Sequence, residues 1–232
     1  MRGVSRALGN DADSRIHDIG QFDVVEAHEA SSLVEAEDYD GTWTVNLPPD
    51  APEEAESGVV PEELKDSLPS IELCDAASAE LIAAVEALKW KAFRQLDLAV
   101  EDPIEPPNDR TGHMIFVQEF LTSAEPGEVE ATFDLLRDGM EACLGDLPAG
   151  EEGPGTAEVM TVPDIGDDRY GVSALVEEAG GWAEWRLHST LVRRGSVLMS
   201  FVLVEITAGV EPLYSNDDIS EFVTTAVDKL ES

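Results

Sequence analysis

Basic residues are scarce. Fourteen lysines and arginines stand against 50 aspartates and glutamates in 232 residues, a formal charge of −36. A phosphate backbone is held by clustered cations, so this balance excludes nucleic acid as a general partner. It argues against anionic membrane surfaces on the same ground. Cysteine is nearly absent: Cys74 and Cys143 are the two in the chain, and no Cys-x-x-Cys occurs. Long apolar runs are missing, and no stretch approaches the ~20 residues of a membrane-spanning helix. The four histidines, His17, His28, His113 and His188, have no second His or Cys at a metal-ligand spacing. Gly-x-Ser-x-Gly, the Walker A loop and Gly-x-Gly-x-x-Gly are absent; Gly171-Val172-Ser173-Ala174 lacks the second glycine of a nucleophile elbow. No metal or other cofactor is expected. The opening residues carry Arg2 and Arg6 but no apolar h-region, so no secretory leader is visible in this chain.

What is present is the material for a core. Hydrophobic residues make up 43% of the chain, close to the globular norm, so the acids belong on the surface rather than in place of the interior. Such charge repels itself at low salt. It suits a secreted protein, in which acids resist aggregation, or a salt-adapted host, in which salt screens them.

The chain reads as a polar tail over residues 1–27 followed by a single α+β domain over 28–232. A short helix is expected near His28 to Glu37, then a strand at Thr42 to Val45 stopped by Pro48-Pro49, then an acidic linker from Asp50 to Glu63. A helix capped by Asp75 runs to Leu88, with Leu81, Val85 and Leu88 on one stripe. Strands follow at Lys91 to Val100 and Met114 to Leu121. Pro126 suits the first position of a helix whose Val129, Phe133, Leu136, Met140 and Cys143 fall on one face, with Gly145 ending it. Pro148 to Gly155 reads as an acidic loop. Val159 to Val162, continued near Tyr170 to Glu177, reads as one strand. Trp182 to Val192 and Val197 to Ile206 form a hairpin turned at Arg193-Arg194-Gly195-Ser196. Ser215 and Asp218 make a capping box for a last amphipathic helix, with Lys229 in its final turn. The predicted order is α-β-β-α-β-β-β-α: an antiparallel sheet packed against two or three amphipathic helices.

Several residues are candidates for function. Arg193-Arg194 is the one adjacent basic pair in the chain; it could grip a carboxylate or phosphate, or simply dress a hairpin tip. Trp182 and Trp185, three apart, point to opposite faces of a regular strand, so one belongs to the core and the other could line a groove. Asp164, Asp167 and Asp168 share a loop, but without the EF-hand spacing they read as solvated. Glu119 and Glu205 could lie on neighbouring strands as an acid–base pair. His188 alternates with Arg186 and Thr190 and is expected on the solvent face. Cys74 and Cys143 are either a disulfide or two buried thiols. Each sits at the edge of a helical segment, which allows bridging, and the closed loop of roughly 70 residues would be worth about 4 kcal/mol.

Cys74 before a helix, Val117-Gln118-Glu119-Phe120 in a central strand and Cys143 ending the next helix form a pattern with Leu191 to Val197 and the terminal helix. Over roughly residues 70–230 this pattern resembles the extracellular sensor domain of actinobacterial serine/threonine kinases of the PknH type, and related domains of secreted lipoproteins. The resemblance implies an antiparallel sheet flanked by helices, a cleft for an unidentified ligand and a location outside the membrane. It supplies no catalytic residues. The expected function is therefore a non-enzymatic extracytoplasmic sensing or binding domain, secreted or on the cell surface, whose partner is a small molecule or protein. The alternatives are a cytoplasmic acidic interaction protein of a salt-adapted host, and a hydrolase built from distant carboxylates.

Overall fold

The computed structural model describes residues 32–46, 58, 60, 77–101, 103–104, 111–150, 153–177 and 181–230. The expected tail, most of the acidic linker, Cys74 and the Asp75 cap lie outside the described residues. Within them the fold is α+β, with three helices and eight strands. A 3-10 turn at Ala36–Asp38 and strand β1 (Trp43–Val45) come first. Helix α1 (Ala79–Leu88) leads into β2 (Ala92–Leu98) and β3 (Gly112–Ser123). Helix α2 (Pro126–Ala142) is followed by β4 (Gly145–Gly150), β5 (Gly153–Val159), β6 (Asp168–Glu177), β7 (Glu184–Arg194) and β8 (Val197–Ala208). Helix α3 (Asn216–Lys229) closes the order. All eight strands join one antiparallel sheet in the order β1-β2-β3-β8-β7-β6-β5-β4.

Local chemistry sets the boundaries. The described N-cap of α1 is Ser78, whose Oγ accepts the Leu81 N–H at 3.1 Å. Pro126 opens α2, where its missing N–H costs nothing. Cys143 caps that helix, so Gly145 (φ +100°) falls one residue beyond its expected place and starts β4. Gly195 (φ +58°) is the first of two residues turning β7 into β8, as a type II′ hairpin requires. Ser215 and Asp218 close the capping box reciprocally: the Ser215 N–H donates to Asp218 Oδ2 at 2.7 Å.

Two expectations fail here. The segment read as a Pro148–Gly155 loop is a hairpin of β4 and β5. Its glycines and proline masked the strands, yet β4 is a sheet edge, and the register slips between Leu147 and Gly150, where an edge strand tolerates Pro148. The single strand expected from Val159 onward is two antiparallel strands, β5 and β6, joined by residues 160–167.

The sheet divides two cores. On one face α1 and α2 bury Leu81, Val85, Val129, Phe133, Leu136 and Met140 against Phe93, Phe120, Leu191 and Leu198. The same face continues into a smaller cluster around Val202, Val204 and Ile206. On the other face α3 sets Ile219, Phe222, Val223 and Val227 over Ile115, Val117, Met199, Phe201 and Leu203. Strand β8 lies between both layers and is buried from Leu198 to Ala208, which explains its unbroken apolar run.

Candidate functional site

The strand register places polar side chains on the α3 face beyond the helix. Glu177, Glu184 and Thr207 are paired in one row across β6, β7 and β8. Arg186 lies one step along, between Leu175 and Glu205, and its Nε donates to Glu184 Oε1 at 2.7 Å. Trp182 and Ala183 from the approach to β7, and residues 209–212 after β8, rise around this row. Together they enclose a cavity of about 700 Å3. The outer wall is pinned near its C-terminal end: the Glu211 carbonyl meets His113 Nε2 at 2.9 Å, and the Leu213 N–H donates to Glu205 Oε1 at 2.6 Å.

The same face continues inward as buried polar groups. His188, next along β7, is 6% exposed, Thr190 is 0% and Glu205 is 0%. Among the described residues His188 Nδ1, Thr190 Oγ1 and Glu205 Oε2 find no hydrogen-bond partner, an arrangement that costs free energy in a folded interior. Burial, aided by the Arg186 charge, pulls the His188 pKa down to about 4, so its imidazole is neutral near pH 7. The alternation expected for Arg186, His188 and Thr190 holds, but the solvent exposure expected for His188 does not. Period-two patterning gives the face of a strand, not what covers it.

A second buried acid lies under α3. Glu119 is 0% exposed, and its Oε2 accepts the Val34 N–H at 2.8 Å. Burial pushes its pKa up to about 8, against smaller lowering effects from that bond and from Arg94 and Lys229. Arg94, its register partner on β2, donates to Glu35 Oε1 at 2.9 Å, and Lys229 Nζ meets Asp38 Oδ2 at 2.9 Å. Residues 34–38 are thus tied to the sheet and to the end of α3. Glu119 and Glu205 do lie on neighbouring strands, but Glu119 faces Phe201 and Glu205 faces Ile115. Four strand positions separate them, about 13 Å, too far for the pair a carboxylate hydrolase would use.

The other candidates are distributed as follows. Arg193 bonds Asp168 through both Nε, at 2.7 Å, and Nη2, and reaches Asp167 at 3.7 Å. Asp167 also accepts the Gly195 N–H at 2.6 Å, and Arg169 meets Asp164 at 2.6 Å. Arg193 and the acidic loop therefore meet in a staple between Asp167, Asp168 and the hairpin tip. Arg194 is exposed at the end of β7. Trp182 precedes β7, so strand alternation does not govern it; both Trp182 and Trp185 pack against the Val202–Ile206 cluster, and Trp182 also lines the cavity. Cys143 is buried at the end of α2 and its thiol is not free; Cys74 lies outside the described residues. Among the described residues no group of three or more His, Cys, Asp or Glu side chains is placed to hold a metal ion. No described helix is long and apolar enough to cross a membrane. The rest of the cavity wall, Glu177, Thr207 and residues 209–212, escaped sequence reasoning. The one local signal was the Gly209 to Pro212 break after a long apolar strand.

No protein-family model matches the chain, and no curated protein matches it. Solved structures align with it at low identity. The extracellular domain of PknH from Mycobacterium tuberculosis is 12% identical, with 89% of this chain and 96% of that one covered at a TM-score of 0.48. An uncharacterized protein of Mycobacterium smegmatis, the Rv0999 ortholog, is 12% identical over 83% and 87%, at 0.33. LpqN of Mycobacterium tuberculosis, involved in cell envelope biogenesis, is 10% identical over 83% and 82%, at 0.29. At these identities and scores they assign no fold, ligand or role to this chain.

Proposed function

We propose that this chain is a non-enzymatic, extracytoplasmic binding domain that takes a small polar molecule into the cavity at the ends of β6, β7 and β8. One observation carries the reading: a cavity of about 700 Å3 in which Trp182 stands beside the charged row of Glu177, Glu184 and Arg186. Small-molecule sites usually enclose ~300–1,000 Å3 and combine an apolar or aromatic wall with a few fixed polar groups. Here the Arg186–Glu184 bond and the pinned 209–213 wall fix those groups before any ligand arrives, which lowers the ordering cost of binding. The extracytoplasmic setting rests on a Cys74–Cys143 disulfide, which suits an oxidising compartment. Residues 28–232 act as a single unit and residues 1–27 as a tail in this reading.

The test is a thermal-shift and tryptophan-fluorescence screen of the full chain against amino acids, short peptides and sugars, repeated on Trp182→Phe and Arg186→Gln. At least one compound should raise the melting temperature of the wild type, with the gain reduced in both variants. A hit unaffected by either change would place binding elsewhere and end the proposal. So would the discovery of two titratable thiols in the denatured, unreduced protein, for the compartment.

A further inference from the structure

A second cavity lies between the Ala36–Asp38 turn and the start of α3. It encloses about 310 Å3 and shares no lining residue with the first. Its walls are of two kinds. Tyr39, Tyr214 and Phe222 supply rings, and Asp38, Asp40, Asp218 and Glu221 supply carboxylates; among the described residues no basic side chain lines it. The carboxylates are not equivalent. Asp38 is paired with Lys229, and Asp218 is spent on the capping box. Asp40 and Glu221 have no ion pair among the described residues.

The rings are fixed in place. Phe222 lies 4.6 Å from Tyr39 and 5.2 Å, edge-on, from Tyr214, centre to centre. Trp43 backs Tyr39 at 5.8 Å and Phe222 at 5.6 Å, and the Tyr39 hydroxyl donates to the Phe222 carbonyl at 3.4 Å. Tyr214 directly precedes the N-cap Ser215, so the capping box sets its backbone.

This combination selects a kind of ligand. An anion is repelled. A hard metal ion needs several oxygens converging on it, and three of the eight residues of this wall are aromatic. An ammonium group whose charge is spread over methyl groups is served by both kinds of wall, through the negative ring faces and the unpaired acids. We propose that this pocket binds an organic cation of the methylated-ammonium class, with Tyr39, Tyr214 and Phe222 as its wall and Asp40 and Glu221 as its counter-charge.

Calorimetric titration of the full chain with tetramethylammonium and with choline tests this, at constant ionic strength. Saturable binding is expected, with sodium a poor competitor. Tyr214→Phe should bind as wild type. Tyr214→Leu keeps bulk at a half-buried position but removes the ring, and should weaken binding about tenfold. Glu221→Gln, on the surface of α3, should weaken it roughly threefold. Circular dichroism confirms that each variant is folded, and Trp182→Phe should leave this binding unchanged whatever its effect on the first cavity. Phosphatidylcholine vesicles separate the sources: co-sedimentation assigns a lipid headgroup, and choline binding without co-sedimentation assigns a free cation. Absence of saturable tetramethylammonium binding overturns the proposal. So does equal displacement by sodium, the mark of a diffuse ion cloud, or wild-type affinity in Tyr214→Leu.

Discussion

The two faces of the sheet do different work. Beneath α1 and α2 the contact is mostly hydrocarbon, with Phe93, Phe120, Leu136, Met140, Leu191 and Leu198 packed together, and the polar groups buried there, such as Ser189 and Ser200, are uncharged hydroxyls. Beneath and beside α3 the apolar centre is ringed by Arg94, Glu119, His188, Thr190 and Glu205, all buried. Burying ionisable groups lowers stability unless each is paired, and among the described residues Glu119 Oε1, His188 Nδ1 and Glu205 Oε2 find no partner. Both cavities open on this second side. Both faces bury a large apolar cluster, but the α3 face also buries ionisable groups at a stability cost, and both cavities lie on that side.

The comparison can be broken from its strong side first. Phe133→Ala, in the apolar cluster beneath α1 and α2, should cost ~3–5 kcal/mol by denaturant unfolding, with little change in binding at either cavity. A loss below 1 kcal/mol would mean that α2 is only loosely seated. Reduction of the proposed Cys74–Cys143 tie should cost up to about 4 kcal/mol, seen as a lower melting temperature in reductant that Cys143→Ser reproduces. An unchanged melting temperature removes the tie. Ser215→Ala sharpens the comparison from the small end. It opens the capping box of α3, should cost about 1 kcal/mol, and should loosen Tyr214 enough to weaken tetramethylammonium binding as well. Normal binding in that variant would separate the cap from the site.

Much of the scaffold was legible because it is local. The α2 stripe repeats at helical spacing behind Pro126, the α3 capping box spans four residues, and the β7–β8 hairpin is marked by its glycine. The β4–β5 hairpin was not legible, because glycine and proline weaken strand propensity and its pairing is set by β6, its neighbour in the sheet. The sites were legible least. Trp182 stood out by residue type alone, and its neighbours in the cavity come from three strands and a loop, brought together by register. His188 shows the limit most plainly: its face follows from alternation, but its burial depends on segments far away in the chain. Arg193 shows the converse, since its charge was visible and its pairing with Asp168 was not.

The division of labour between the faces is tested most directly by unfolding free energy against pH, measured at molar salt to screen the surface acids. Burial raises Glu119 from 4.5 to about 8. Its contribution is therefore complete below pH 4.5 and drains away as pH rises toward 8. Burial lowers His188 from 6.5 to about 4, so its contribution is complete above pH 6.5 and is lost as pH falls toward 4. The two effects cancel between pH 4.5 and 6.5, so stability should be level there, fall toward pH 8 and fall slightly below pH 4.5. Glu119→Gln should remove the alkaline fall, a gain on the order of 4 kcal/mol at pH 8, and unmask the His188 loss as a fall from pH 6.5 down to 4. A flat profile, or an alkaline fall that survives in Glu119→Gln, would contradict the account.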